Sequence, residues 1–219
     1  MSFAGLGDGD VAAAGGLPAE LAANWRTLAT SSVDIEFGFS CMGYEIAGGW
    51  GARIAQSETQ PDSDTIVWTG DGSYLLMNSD IYSAVLTEKK LIIMVLDNGG
   101  FAVINKLQKG KGNESYNNLI ADTPTASNQH RVDFAAHAQS MGATSERVDT
   151  VDQLQAAFLR AKASTNTYVI VMNVDPYDGW TTEGHAWWEV GTPAISNSAS
   201  VTAGHKEVES GRARQRKGV

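Results

Sequence analysis

Short, continuous apolar runs alternate with amphipathic stretches along the chain, and this alternation restricts the possible folds most strongly. The most apolar runs are DTIVWTG (64–70), KLIIMVLDN (90–98) and TYVIVMNV (167–174). Runs of this kind are typical of strands that are buried on both faces of a parallel sheet. Two shorter segments, DVAAA (10–14) and the more polar ATSERV (143–148), are predicted to be two further strands.

Amphipathic stretches between these runs predict the helices that connect the strands. They begin near Pro18 and Gly43 and cover 73–88, 100–108, 131–143 and 150–163. Residues 109–130 are polar and rich in Gly, Asn and Ser, which predicts a loop. Strands that alternate with helices favour a mostly parallel sheet with helices on both faces. The sequence therefore predicts an α/β domain of three layers, α/β/α, over residues 10–176.

The two ends of the chain lack this alternation. Residues 1–9 are predicted to be an N-terminal extension or a junction, and the Gly-Asp-Gly at 7–9 to be a turn, because no strand precedes it. After Pro176 the segment 177–219 contains three tryptophans whose size argues against full exposure, Trp180, Trp187 and Trp188. We predict that this C-terminal extension packs back on the domain and ends in a solvated, basic tail.

Charge and composition argue against several classes of protein. The net charge of −9 argues against a nucleic-acid partner. No apolar run reaches the ~18 residues of a membrane span, and no basic segment precedes an apolar core as in a signal peptide. The single cysteine, Cys41, cannot form an internal disulfide, so we expect a reducing compartment, the cytoplasm.

The segment GDGS (70–73) gives the first functional prediction. It follows a predicted buried strand and begins a predicted helix, and ligands of open parallel sheets bind beyond the carboxyl ends of strands. Backbone amides at a helix N-terminus favour a phosphate group. Asp71 would repel that phosphate unless a cation lay between them, and Mg²⁺ accepts carboxylate and phosphate oxygens together. A second oxygen ligand is then expected at the end of a neighbouring strand.

The next predicted strand ends in Asp97-Asn98, after 24 intervening residues from Gly72. This pattern resembles the Gly-Asp-Gly…Asn-Asn signature of the diphosphate-binding domain of thiamine-diphosphate enzymes, with Asp97 in place of the first Asn. The resemblance implies the fold of that domain and Mg²⁺ binding by Asp71, the Asn98 side chain and the Gly100 carbonyl. It also implies that thiamine diphosphate contacts these strand ends through Gly70, Gly72, Ser73, Asn98, Gly100 and Phe101.

The segment FSCMGYEIAGGWGARIA (39–55) extends the resemblance upstream. Met42 matches the apolar residue that lies between the two rings of the cofactor, and the Ser40 carbonyl matches the acceptor of the 4′-amino group. Considered alone, Met42 would be read as an ordinary core residue, because methionine commonly fills core gaps. Gly15 and Gly16, after the first predicted strand, are also expected to face the cofactor.

The segments CMGYE (41–45) and GHAWWEVGTPAIS (184–196) resemble a narrower family, 3D-(3,5/4)-trihydroxycyclohexane-1,2-dione hydrolase, over roughly residues 10–217. The resemblance implies the opening of a cyclic 1,2-diketone to 5-deoxyglucuronate in inositol catabolism. Cyclohexane-1,2-dione hydrolase and an oxoacid decarboxylase are the alternative enzymes.

No residue of this chain matches the activating Glu of the superfamily, which belongs to a separate pyrimidine-binding domain. We therefore predict no catalytic residue in this chain, a pyrimidine-binding domain as partner, a homo-oligomer, and no activity of the chain alone. A non-catalytic cofactor-binding module is the second class of function.

Overall fold

The computed structural model of the chain describes residues 10–14, 33–36, 39, 41–123, 131–178 and 191–215. The chain divides into two compact units. The first unit comprises Met1–Asn98 and His130–Asp175, and the second comprises Gly99–Gln129 and Pro176–Val219. The first Gly-Asp-Gly, the helix predicted after Pro18, and the three tryptophans near the C-terminus lie outside the described residues.

The first unit contains a six-stranded sheet in which every neighbouring pair of strands is parallel. Its strands are β1 (Asp10–Ala14), β2 (Val33–Glu36), β3 (Thr65–Gly70), β4 (Ile92–Asp97), β5 (Thr144–Val148) and β6 (Tyr168–Asn173), in the order β2-β1-β3-β4-β6-β5. The predicted parallel α/β fold is therefore confirmed. The edge strand β2 was not predicted.

Among the described residues of the first unit, the helices are α1 (Tyr44–Thr59), α2 (Asp71–Leu76), α3 (Asp80–Leu86), α5 (Phe134–Ser140) and α6 (Val151–Ala163). The single helix predicted over 73–88 is wrong, because Met77 adopts an extended conformation and separates α2 from α3. The helix predicted from Thr150 is confirmed, and Thr150 and Gln153 form a capping box at its start. None of the helices in the described ranges is long and apolar enough to span a membrane.

Apolar side chains fill both faces of the sheet, as the continuous apolar strands predict. On one face, Ile66 and Trp68 of β3 pack with side chains of α6 such as Phe158. On the other face, Val67 of the same strand packs with side chains of α1, α3 and α5, among them Ile46, Ile81, Phe134 and Ala138. The alternation of neighbouring β3 residues between the two clusters gives the three layers of the fold.

The second unit is built from two separate segments of the chain. In the part of this unit that the structure describes, the elements are α4 (Ala102–Gly110), a 3₁₀ turn (Ile120–Asp122) and α7 (Ala199–Arg214). The Ser200 hydroxyl donates a hydrogen bond to the Gly112 carbonyl at 2.7 Å, and a Cβ at Gly204 would lie 2.5 Å from the Lys111 carbonyl oxygen. The sequence analysis placed no element after Pro176, whereas the structure has this 16-residue helix up to Arg214.

Candidate cofactor-binding site

The two predicted side-chain ligands of the cation lie at the ends of neighbouring strands. In the parallel register of β3 and β4, Gly70 pairs with Leu96, so Asp71 and Asn98 follow at the same edge of the sheet. Asp71 is the first residue of α2 and is 5% exposed. The structure thus brings together a buried carboxylate and an amide that are 27 residues apart in the chain (98 − 71).

The turn that carries Met42 lies against the start of α2, which contains Ser73. The Gly43 N–H donates a hydrogen bond to the Ser73 hydroxyl oxygen at 3.2 Å. Gly43 has a positive φ of 96°, and a Cβ there would lie 2.9 Å from Cγ of Met77, so this close approach requires glycine. Met42 itself is partly buried. The residues predicted to contact the rings and the diphosphate are therefore neighbours in the first unit.

The donor groups at this edge of the sheet suit a cation and a diphosphate. The buried Oδ1 of Asn98 has no hydrogen-bond partner among the described residues. A Cβ at Gly70 would meet no described atom within 4 Å, so space is open beside the turn. No group of three or more His, Cys, Asp or Glu side chains gathers as a metal site in the described ranges. A cation held by Asp71 would therefore need amide, carbonyl or phosphate oxygens as further ligands, which is the donor set that Mg²⁺ accepts.

Asp97, the departure from the Asn-Asn signature, has arginine partners instead. Its carboxylate is 1% exposed, forms an ion pair with Arg131, and lies 3.7 Å from Nη1 of Arg147. Arg147 also donates a hydrogen bond to Oδ1 of Asn173, at the end of β6, at 2.5 Å. These contacts give Asp97 a structural role that an asparagine could not fill, since only a carboxylate balances the arginine charge.

Glu45 is a buried carboxyl group at this site that the sequence analysis did not identify. It lies in the first turn of α1, is 1% exposed, and its Oε2 accepts a hydrogen bond from the Gly43 N–H at 2.9 Å. Burial raises the pKa of Glu45, while hydrogen bonds from the protein, including those of Ser73 and Thr69, oppose this effect. The available signal was a single carboxylate within the otherwise apolar and glycine-rich stretch MGYEIAGG.

Gly100 and Phe101, predicted to contact the cation and the cofactor, belong to the second unit. Gly100 has a φ of 145°, and a Cβ there would lie 2.2 Å from the Asn118 carbonyl oxygen, so the backbone requires glycine. The Phe101 N–H donates a hydrogen bond to the same oxygen at 2.7 Å. The other predicted contacts, Gly15, Gly16 and Ser40, lie outside the described residues.

Comparison with known proteins identifies the class of this domain. Residues 13–172 match the family described as thiamine pyrophosphate enzyme, C-terminal TPP binding domain. The matched span covers more than half of the chain, and the chain belongs to this family.

Curated relatives point to a particular branch of the family. The chain is 36% identical over 202 residues to 3D-(3,5/4)-trihydroxycyclohexane-1,2-dione hydrolase 2 of Bacillus cereus, covering 90% of this chain and 30% of the relative. It is 35% identical over 202 residues to the 3D-(3,5/4)-trihydroxycyclohexane-1,2-dione hydrolase of Lacticaseibacillus casei, covering 92% of this chain and 30% of the relative. The chain thus spans about 30% of the length of these relatives.

Solved structures share the fold at low sequence identity. Benzoylformate decarboxylase from Polynucleobacter necessarius matches with a TM-score of 0.67 and 20% identity, over 77% of this chain and 30% of that chain. The thiamine diphosphate-dependent 4-hydroxybenzoylformate decarboxylase of Rhodococcus jostii RHA1 matches with a TM-score of 0.64 and 19% identity, over 78% and 30%. At this identity the likeness establishes the fold alone.

Proposed function

We propose that this chain is the thiamine-diphosphate- and Mg²⁺-binding part of a cytoplasmic hydrolase that opens a cyclic 1,2-diketone by C–C cleavage. The substrate class follows from the relatives, whose name specifies trihydroxycyclohexane-1,2-dione, and the proposed product is 5-deoxyglucuronate. The observation that carries the proposal is that buried Asp71 and Asn98 lie at neighbouring strand ends, and that the Asn98 amide oxygen has no hydrogen-bond partner within the described ranges.

The chain's own residues would bind and orient the cofactor. Asp71, the Asn98 side chain and the Gly100 carbonyl would hold Mg²⁺, and the amides of the 70–73 turn would hold the diphosphate. Met42 would set the angle between the cofactor rings. The remaining predicted contacts are the Ser40 carbonyl, Gly15, Gly16 and Phe101. When bound, thiamine diphosphate supplies the carbon nucleophile that attacks a substrate carbonyl.

The carboxylate that activates the cofactor would come from a pyrimidine-binding domain outside this chain. The exposed apolar side chains at the end of α2 support a partner surface in the first unit, since Leu75 and Leu76 are each 54% exposed and Met77 is 47% exposed. We propose that the complete enzyme is a homo-oligomer in which this surface is covered. A cyclohexane-1,2-dione hydrolase or an oxoacid decarboxylase would use the same cofactor site, and assays with each substrate distinguish the three reactions.

Titration calorimetry with thiamine diphosphate, with and without Mg²⁺, tests the proposal. The wild-type chain should bind the cofactor in a Mg²⁺-dependent way, and Asp71→Ala should abolish this binding because it removes an anionic ligand from a small ligand set. Asp64→Ala is the matched control. Asp64 directly precedes the first residue of β3, at the end of the strand away from Asp71, and its Oδ1 lies 3.0 Å from Nζ of Lys90. Equal binding by Asp71→Ala and wild type would rule out the assigned cation site.

A further inference from the structure

Two carboxylates accept hydrogen bonds from backbone N–H groups on either side of Met42, the predicted ring contact. Glu36, the last residue of β2, accepts hydrogen bonds from the N–H groups of Phe39 (3.2 Å) and Cys41. Glu45 accepts the next alternate N–H, that of Gly43, at 2.9 Å. The backbone N–H groups of Phe39, Cys41 and Gly43 are thus held by one carboxylate from the strand before them and one from the helix after them. Neither carboxylate belongs to the ligand set assigned to the cation.

Glu45 also links the Met42 turn to the segment 70–73, which is predicted to bind the diphosphate. The Gly43 N–H is shared between Glu45 and the hydroxyl oxygen of Ser73, 3.2 Å away. The hydroxyl groups of Ser73 and of Thr69 favour the ionised form of Glu45. Through the shared Gly43 N–H, the Glu45 carboxylate at the start of α1 is linked to Ser73 at the start of α2.

A role in stability alone does not explain this carboxyl group well. Burying a carboxyl group costs free energy unless hydrogen bonds compensate for the lost hydration. At Glu45 the compensation is incomplete, because the net effect of its surroundings is a raised pKa. The same helix also buries a neutral residue of the same size, Gln56, whose Oε1 accepts a hydrogen bond from the Thr65 hydroxyl at 2.7 Å. Gln56 lies near the C-terminal end of α1, away from the 70–73 turn, and provides an internal comparison.

We propose that Glu45 is a positioning residue for the cofactor, which holds the Met42 turn at a fixed distance from the 70–73 turn. The contact to the rings and the contact to the diphosphate are then made by one rigid arrangement. This inference rests on the proposed function, because Met42 and Ser73 are assigned to the cofactor there. The role requires an acceptor of the right length for the Gly43 N–H, and it does not require a negative charge.

Amide hydrogen exchange of the full chain without cofactor provides the first test. Glu45→Ala and Glu45→Asp remove or shorten the acceptor, so the Gly43 amide should exchange about tenfold faster. Glu45→Gln keeps an acceptor on a side chain of the same length, so the Gly43 amide should keep its wild-type protection from exchange. Gln56→Ala, the matched control, should leave the Gly43 amide unchanged. If Glu45→Ala fails to fold, Glu45→Asp decides.

Cofactor affinity, measured by calorimetry with thiamine diphosphate and Mg²⁺, provides the second test. Glu45→Ala and Glu45→Asp should bind about 10- to 100-fold more weakly, the range typical of residues that orient a ligating group. Glu45→Gln and Gln56→Ala should stay within about threefold of wild type. Wild-type exchange and wild-type affinity in Glu45→Asp would overturn the inference. If the wild-type chain binds no cofactor, the proposed function fails separately, and unchanged exchange at Gly43 still overturns the positioning role.

Discussion

Two buried aspartates lie one strand apart at the carboxyl edge of the sheet, and their surroundings give them different tasks. Asp97 lies between Arg131 and Arg147, which balance its charge. Asp71 opens α2 at the same edge of the sheet as Asn98, whose amide oxygen has no hydrogen-bond partner among the described residues, and we propose Asp71 as a ligand of the cation. The residue that departs from the family signature is therefore the one whose side chain has become part of an ion-pair cluster.

Asp97→Asn restores the family's Asn-Asn pair and separates these two roles. The free energy of unfolding should fall by about 1–2 kcal/mol, because Arg131 and Arg147 lose their common partner but remain partly exposed and can be hydrated. Mg²⁺-dependent cofactor affinity should be unchanged. Urea denaturation and calorimetry measure the two quantities.

Asp64→Asn is the control for this comparison, because Asp64 also lies between two cations, Lys90 and Lys162, but is more exposed. Asp64→Asn should lower the free energy of unfolding by less than about 1 kcal/mol. A variant Asp97→Asn with wild-type stability and lost cofactor binding would instead make Asp97 a ligand.

At the scale of single elements, the glycines of α1 show how closely this helix approaches the sheet. A Cβ at Gly49 would lie 2.3 Å from Cγ2 of Val67, a stiff side chain buried on β3. A Cβ at Gly51, two residues further along, would meet no described atom within 4 Å. The glycine-rich sequence of this helix therefore reflects close packing at one position and not at the other.

Replacement of each glycine by alanine should give opposite results. Gly49→Ala should lower the free energy of unfolding by about 1–3 kcal/mol, because the added methyl group forces Val67 or the helix to move. Gly51→Ala should raise it by about 0.5–1 kcal/mol through the higher helix propensity of alanine. Thermal and urea denaturation provide the measurement, and equal effects of the two replacements would contradict the packing argument.

A bidentate ion pair fastens the edge strand β5 to helix α6. Nε and Nη2 of Arg160 donate hydrogen bonds to the two carboxylate oxygens of Glu146, at 3.0 and 2.6 Å. The Tyr168 hydroxyl donates a third, at 2.6 Å. The hydrogen bonds from Arg160 lower the pKa of Glu146, and burial opposes the shift. Because the folded pKa lies below the unfolded one, the stabilisation is present above the usual glutamate pKa and is lost as the pH falls.

Glu146→Gln should therefore destabilise the chain at neutral pH and not in acid. Arg160 is half exposed, so solvent screening limits the expected loss to about 0.5–1 kcal/mol at pH 7. The difference from wild type should shrink as the pH falls below the usual glutamate pKa, and vanish once the wild-type carboxylate is protonated in the folded state as well. Urea denaturation as a function of pH measures it, with Glu58→Gln on α1 as an exposed control. A difference that persists in acid would contradict the assignment.

The elements that sequence reasoning missed share a weak apolar signal. Strand β2 has the sequence VDIE and lies at the edge of the sheet, where it pairs on one side only. Its two acidic residues, Asp34 and Glu36, interrupt the apolar signal that identified the central strands. Helix α7 buries Val201, Gly204 and Val208, a narrow stripe in which one member is glycine. The break between α2 and α3 was readable in Asn78-Ser79-Asp80, but a continuous apolar period concealed it. Buried strands, by contrast, were predicted because their whole sequence is apolar.

Some residues of the candidate site could be predicted from the local sequence, whereas others are brought together only by the packing of elements that are distant in sequence. Asp71 and Asn98 could be predicted together because each directly follows a buried strand and one helix separates the strands. The partners of Asp97 could not be predicted, since Arg131 and Arg147 are distant in sequence and reach it only through the packing of the sheet edge. The contact between Gly43 and Ser73 likewise depends on how α1 is set against α2.

At the scale of the whole molecule, the chain corresponds to about 30% of the length of the hydrolases that it matches. Within the first unit, the apolar side chains of Leu76 and Met77 adjoin the Met42 turn, as their contacts with the Cβ position of Gly43 show. Both side chains are about half exposed. An exposed apolar surface beside the proposed cofactor site favours association with a partner that covers it.

This arrangement leads to a prediction about activity. The purified 219-residue chain, supplied with thiamine diphosphate and Mg²⁺, should not open cyclic 1,2-diketones, because no residue in it matches the carboxylate that activates the cofactor. Mixing it with the separately expressed N-terminal remainder of a relative, which contains the pyrimidine-binding domain on our proposal, should give ring opening. Asp71→Ala in the same mixture should give none, and Asp64→Ala should behave as wild type. Turnover by the chain alone would show that it carries its own activating group, and would place the catalytic machinery within these residues.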